Sequence, residues 1–279
     1  MPFKSIVTFV TDAEADKDAT LTAAAVADAH QAHLTAVCLG LDRTNPGAYY
    51  AGANAIVLQE SLKAAQDEAA ATETAVDAAL GVWTCPTDTV SVTAQIGAIA
   101  PLIGDHAVLA DLIVLPKPYG DGRDVQNVVV TEAALFRTRV PVLIVPKGHQ
   151  SNIAPKRVVI AWNESPEALA AIRGALEMLC AAETVDIAII DPPQHGADRS
   201  DPGGALAEML ARHGVRADVS VLPKTMPRVS DVLARHCEDR EAELLVMGAY
   251  GHSRLREAIL GGATRNTLEL ARIPVLMAH

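Results

Sequence analysis

The chain repeats itself. Asp111-Leu-Ile-Val-Leu-Pro116, Thr131-Glu-Ala-Ala-Leu135 and Arg139-Val-Pro141-Val-Leu-Ile-Val-Pro146 recur as Glu243-Leu-Leu-Val-Met-Gly248, Thr264-Arg-Asn-Thr-Leu268 and Arg272-Ile-Pro274-Val-Leu-Met277. Thr131 and Thr264 are 133 residues apart, and so are Pro141 and Pro274. The openings match too, Lys4-Ser-Ile-Val-Thr-Phe-Val10 against Lys156-Arg-Val-Val-Ile-Ala-Trp162. A period of this length describes a duplicated domain, because stacked solenoid repeats are only about 20–50 residues long. The 279 residues hold two domains of about 140 residues each. The expected division is 1–147 and 156–279, with a polar linker over 147–155 containing Gly148, Ser151 and Asn152.

Within each copy strand patterns alternate with helix patterns. In the second, 157–162 reads as a strand and 166–181 as an amphipathic helix with Ser165 as N-cap and Pro166 at its first position. Strands follow at 185–190, 217–222, 244–247 and 275–277, separated by helices at 204–213, 229–236 and 263–271. Helical connections of this length imply right-handed parallel crossovers, hence an α/β, doubly wound, five-stranded parallel sheet in each copy. The first copy keeps the order, with a longer excursion over 42–54. Hydrophobic residues are 50% and aromatics 3%, a composition for Ala-rich helices on Val/Leu/Ile strands.

The chemistry concentrates in the second copy. Its fourth strand runs into Gly248-Ala-Tyr-Gly251, and nine residues separate Gly251 from Gly261-Gly262-Ala263-Thr264. Glycines after a parallel strand and before a helix let backbone approach a phosphate, which the helix N-terminus attracts; Thr264 adds a hydroxyl. Such a ligand would lie beyond the carboxyl ends of the strands. Glycines in this position also serve as plain turn residues, and His252 and Tyr250 read as loop residues.

This stretch resembles the signature of the universal stress protein family, Gly-x2-Gly-x9-Gly followed by Ser or Thr. The resemblance spans nearly the whole chain as a tandem, two-domain type with an adenine nucleotide alpha hydrolase-like fold in each half. It implies a stress-response protein that binds ATP, ADP or AMP, with or without Mg²⁺, in the second domain. The implied contacts are Ala161, Asn163, Ile190, Met247, Gly248, Gly251, Gly261, Gly262, Ala263 and Thr264. Gly262 stands where the family's ATP-binding members carry Ser or Thr, and Asn163 where they carry a carboxylate. Trp162 reads as core or interface packing. The family also implies that the last strands, around 140–145 and 273–277, pair antiparallel to give a pseudo-dimer within one chain, with a homodimer of chains as a further step.

The first copy has Pro116 in place of Gly248, and Val128 and Val129 in place of Gly261 and Gly262. Their bulk occupies space that a phosphate needs, so this copy is expected to have lost nucleotide binding, with Thr11 or Asp12 near the former nucleoside position and Thr131 retained. A net charge of −11 without a basic cluster argues against nucleic acid as a partner. No Cys pair has zinc or redox spacing among Cys38, Cys85, Cys180 and Cys237. The start of the chain lacks a secretory pattern, and the uncharged stretch over 90–104 contains Gly and Pro101, so the cytoplasm is expected and a membrane is not. No Gly-x-Ser-x-Gly, His-Glu-x-x-His or Gly-x4-Gly-Lys motif is present, which leaves at most weak ATP hydrolysis; Asp191 and His195 occupy the loop after the second strand, where a carboxylate near a phosphate could hold Mg²⁺ but an acidic residue is usually only solvated. The alternatives are a ligand-free dimerisation module, and an electron-transfer flavoprotein-like enzyme without its usual partner signals.

Overall fold

Runs such as Ile6-Val7-Thr8-Phe9-Val10, every residue of which is buried, offer no polar face to water and form strands covered on both sides. The computed structural model describes residues 3–42, 55–149, 154–192, 201–249 and 262–279. The chain divides into two compact units, Phe3–Val140 and Pro141–His279.

The first unit comprises β1 (Ser5–Val10), α1 (Lys17–His30), β2 (His33–Asp42), α2 (Ala55–Leu80), β3 (Thr87–Gln95), a short 3-10 turn, α3 (Ile99–Ala107), β4 (Leu112–Pro116) and α4 (Val125–Thr138). Its strands lie parallel in the order β3-β2-β1-β4. Helices approach closely because their inner faces are small: Ala19, Ala23, Ala24 and Ala27 of α1 are all buried.

The second unit comprises β5 (Val142–Val145), β6 (Arg157–Ala161), α5 (Pro166–Ala181), β7 (Thr184–Ile190), α6 (Gly204–Arg212), β8 (Ala217–Leu222), α7 (Val229–Asp239), β9 (Leu244–Gly248), α8 (Gly262–Leu270) and β10 (Val275–Ala278). Strand order is β5-β10-β9-β6-β7-β8, parallel except where β5 meets β10. The chain leaves β6 toward β7 on one side and returns to β9 on the other, so the crossovers change sides at the carboxyl end of β6.

The closing strands of the two repeats are antiparallel neighbours, Val275 opposite Ile144, Leu276 opposite Leu143 and Met277 opposite Val142. The compact division falls between Val140 and Pro141, ahead of β5, whereas the sequence reading carries the first domain to 147. Gly174 of α5 makes room for this strand's start, since a Cβ there would lie 2.8 Å from Cβ of Pro141.

One charge interrupts the apolar run of β7. Asp186 is 7% exposed. It is held by the Ser220 hydroxyl at 2.9 Å, Arg240 at 2.8 Å and the His236 ring at 3.3 Å, so the buried carboxylate is paired as burial demands. No helix among the described residues is long and apolar enough to cross a membrane.

Candidate functional site

Three strand ends set the floor of a cleft in the second unit. Ala161 closes β6 opposite Ala188 of β7 on one side and Met247 of β9 on the other. The Trp162 N–H still reaches the Ala188 carbonyl at 2.9 Å, after which the backbone turns away. Asn163 steers that turn: its Oδ1 accepts from Ser165 N at 3.2 Å, and Ser165 Oγ accepts from Ala168 N at 3.1 Å. The second bond caps α5 and Pro166 occupies its first turn. With its oxygen so engaged, Asn163 keeps its amide hydrogens for a ligand.

The cleft encloses about 170 Å³ and is lined by Ala161, Trp162, Asn163, Ala188, Ile190, Val229, Leu233, Met247, Gly248, Ala263, Thr264 and Thr267. Seven of the residues picked from the sequence line this cleft: Ala161, Asn163, Ile190, Met247, Gly248, Ala263 and Thr264. Gly262 begins α8 but is not in the lining. Gly251 and Gly261, with Tyr250 and His252, fall outside the described residues. The volume is an order of magnitude above the roughly 10–15 Å³ that one water needs, and the walls are chiefly apolar with a few polar groups. Mostly apolar walls with a few polar groups are the make-up of a small-molecule site.

Sequence reasoning missed four of these residues and singled out a fifth, Trp162, for packing and not for the site. Val229 and Leu233 are one helical turn apart on α7, a spacing that puts both on one face, but which face meets the cleft is a tertiary matter. Ala188 follows from the β6–β7 register, and Thr267 from its place one turn beyond Thr264. Trp162, read from sequence as core or interface packing, is half-buried and lines the cleft.

Gly248 also has another reason for being glycine. A Cβ there would lie 2.5 Å from Ala168 N, 2.8 Å from the Glu167 carbonyl carbon and 3.0 Å from Ala168 Cα. Its bareness admits the first turn of α5 against β9, independently of any ligand. By contrast a Cβ on Gly262 would meet only Asn266 Nδ2 at 4.0 Å. Two acidic residues beside the cleft hold left-handed backbone, Glu164 at φ 60° and Asp191 at φ 50°. Asp191 is exposed, and no group of three or more metal-competent side chains occurs among the described residues.

The corresponding corner of the first unit is built differently. It is lined by Thr11, Asp12, Glu68, Arg123, Asp124, Gln126 and Asn127 with Leu39 and Leu41 beneath. Asp16, 1% exposed, accepts from Thr11 N at 2.8 Å, Thr11 Oγ1 at 3.1 Å and Asp12 N at 3.2 Å, and pairs with the Arg123 guanidinium. The N-terminus of α4 is closed by its own capping box, in which Asp124 accepts from Gln126 N at 2.8 Å and Asn127 accepts from Asp124 N at 3.0 Å. A carboxylate thus sits where an anion would be drawn, and the neighbouring guanidinium is already neutralised. Val128 and Val129 lie within α4, and the Thr131 hydroxyl donates to its own helix at the Asn127 carbonyl, 2.9 Å away.

Comparison with known proteins adds the following. The universal stress protein family model matches residues 155–279. A curated relative, Universal stress protein Slr1230 of Synechocystis sp., is 29% identical over 145 residues, which is 49% of this chain and 46% of its own length; the chain therefore spans less than half of that relative. Among solved structures, a universal stress protein from Archaeoglobus fulgidus aligns with a TM-score of 0.69 at 14% identity, covering 98% of this chain and 95% of the other. A protein of unknown function from Pseudomonas aeruginosa aligns with a TM-score of 0.60 at 15% identity, covering 98% and 92%. At these identities the structural likeness speaks to fold alone.

Proposed function

Because residues 155–279 belong to the universal stress protein family, we propose that this chain is a stress-response protein whose second unit binds an adenine nucleotide, ATP, ADP or AMP, in the cleft at the ends of β6, β7 and β9. The observation that carries this reading is the convergence of seven residues chosen from sequence in one largely apolar cleft with a polar margin. Apolar side chains such as Ile190, Val229 and Met247 suit a base, while the Asn163 amide and the Thr264 hydroxyl suit the polar edges of a nucleoside and its phosphate. The family resemblance implies phosphate contacts from Gly251 and Gly261, which lie outside the described residues.

The first unit has lost nucleotide binding in this reading and serves as a partner for the second. Its α4 cap and the Asp16–Arg123 pair occupy the corner with the protein's own charges. One nucleotide per chain is therefore the expected stoichiometry.

Mass spectrometry of the supernatant after denaturing purified protein tests for co-purified nucleotide. Calorimetric titration of nucleotide-free protein with ATP, ADP and AMP then counts sites. One site is expected; two equivalent sites, or no heat with any of the three, would overturn the proposal.

A further inference from the structure

Aromatic residues are scarce in this chain, with two Trp, four Tyr and three Phe in 279 residues. One of the two tryptophans stands in the wall of the cleft. Trp162 is the first residue beyond β6, and its backbone is pinned by the 2.9 Å bond to Ala188, so the indole is carried on the rigid sheet. It is half-buried and its ring N–H donates no hydrogen bond among the described residues. Core packing would bury this side chain more fully, for tryptophan brings about 150–250 Å² of surface to a contact. The same cleft leaves apolar Val229 40% exposed. Trp162 and the exposed aliphatic Val229 both line the cleft, a pairing of aromatic and aliphatic residues suited to a flat ring.

We propose that Trp162 is a specificity-determining residue of this cleft, its indole packing against the base of the bound nucleotide and so favouring ligands with a purine over ribose phosphates without one. This rests on the cleft being the nucleotide site. Base–aromatic stacking is worth about 1–3 kcal/mol by truncation, which converts to about 5- to 150-fold in affinity. The indole also makes the site self-reporting, since a base laid on it alters its emission.

The test uses the full chain in a Trp83→Phe background, which leaves Trp162 as the single tryptophan. That background removes a buried indole N–H without a partner among the described residues. ADP and ribose 5-phosphate are titrated while tryptophan emission and heat are followed in parallel. The expected result is an emission change with ADP that saturates with the calorimetric curve. Trp162→Ala should weaken ADP by about 5- to 150-fold, Trp162→Phe should retain most of the affinity, and ribose 5-phosphate should bind weakly and equally to all three. If ADP binds by calorimetry while Trp162 emission stays constant and Trp162→Phe and Trp162→Ala bind as the parent does, Trp162 has no such role and the nucleotide site stands without it. If ADP gives no heat with the parent, the nucleotide reading itself falls and this inference with it.

Discussion

Replacing Gly248 by alanine adds one carbon at a place where three backbone atoms of α5 stand within 3.0 Å. None of them belongs to a side chain that can turn aside. The first turn of α5 is itself fixed by the Ser165 cap, and β9 is fixed between β6 and β10. Overpacking of a well-packed core costs about 1–3 kcal/mol, and a collision with constrained backbone on this scale belongs at about 3 kcal/mol. For a unit of this size each kcal/mol lowers the melting temperature by about 3–4 °C, giving a fall of about 10 °C. Gly262→Ala is the control, because its Cβ meets nothing closer than 4.0 Å; alanine at a helical position should leave stability within about 1 kcal/mol of the parent. Thermal unfolding of nucleotide-free protein, followed by far-ultraviolet circular dichroism, reads both. If Gly248→Ala melts within about 2 °C of the parent, the close packing of α5 on β9 is not what requires glycine there, and the phosphate becomes the remaining reason.

Other expectations come from the same structure. Asp16→Ala should cost the first unit about 3–5 kcal/mol, because it strands a largely buried guanidinium and removes the acceptor for two backbone N–H groups; an unchanged urea midpoint would contradict this. Leu276→Asp places a charge at a fully buried site between β5 and β9 and should give aggregated protein by size-exclusion chromatography, so a monodisperse variant of parental stability refutes the packing described. Burial pushes the Cys38 and Cys237 thiols up to about 12, aided at Cys237 by the charge of Asp186, and burial also raises Cys85. A raised thiol pKa means protonated sulfur at neutral pH, so one fast equivalent, from exposed Cys180, should react with a disulfide reagent at pH 8 until denaturant is added; two or more fast thiols would show otherwise. ATP turnover should stay below about 1 per second, the lower end of ordinary enzyme rates, in a phosphate-release assay.

What could be read in advance was local or periodic. The start of α5 was legible because Ser165 and Pro166 act within one turn, and the strands β6 to β9 because unbroken Val/Ile/Leu runs have one destination in a parallel sheet. Asn163, Ile190 and Met247 were placed together by the family resemblance, and all three lie at or just beyond the ends of neighbouring strands. The rest depends on distance along the chain. Asp16 and Arg123 are 107 residues apart, and nothing in either segment names the other. The atoms that crowd Gly248 belong to Glu167 and Ala168 of a helix far earlier in the chain, so sequence offers a ligand or a turn as the reason for glycine and not the packed backbone. The place of Trp162 in the cleft lining was not legible either, because the sequence does not say which side of a strand end is left uncovered.

The pairing of β5 with β10 sets how this protein responds to dilution. Two separate chains that share such a pair of strands come apart as their concentration falls, because joining them is bimolecular. Here β5 is tethered to β6 through about a dozen residues, and a short tether holds its strand near its partner at about millimolar effective concentration. The edge of β10 is therefore covered whatever the concentration of the chain. Duplication of the domain within one chain makes the strand pair a property of folding instead of abundance.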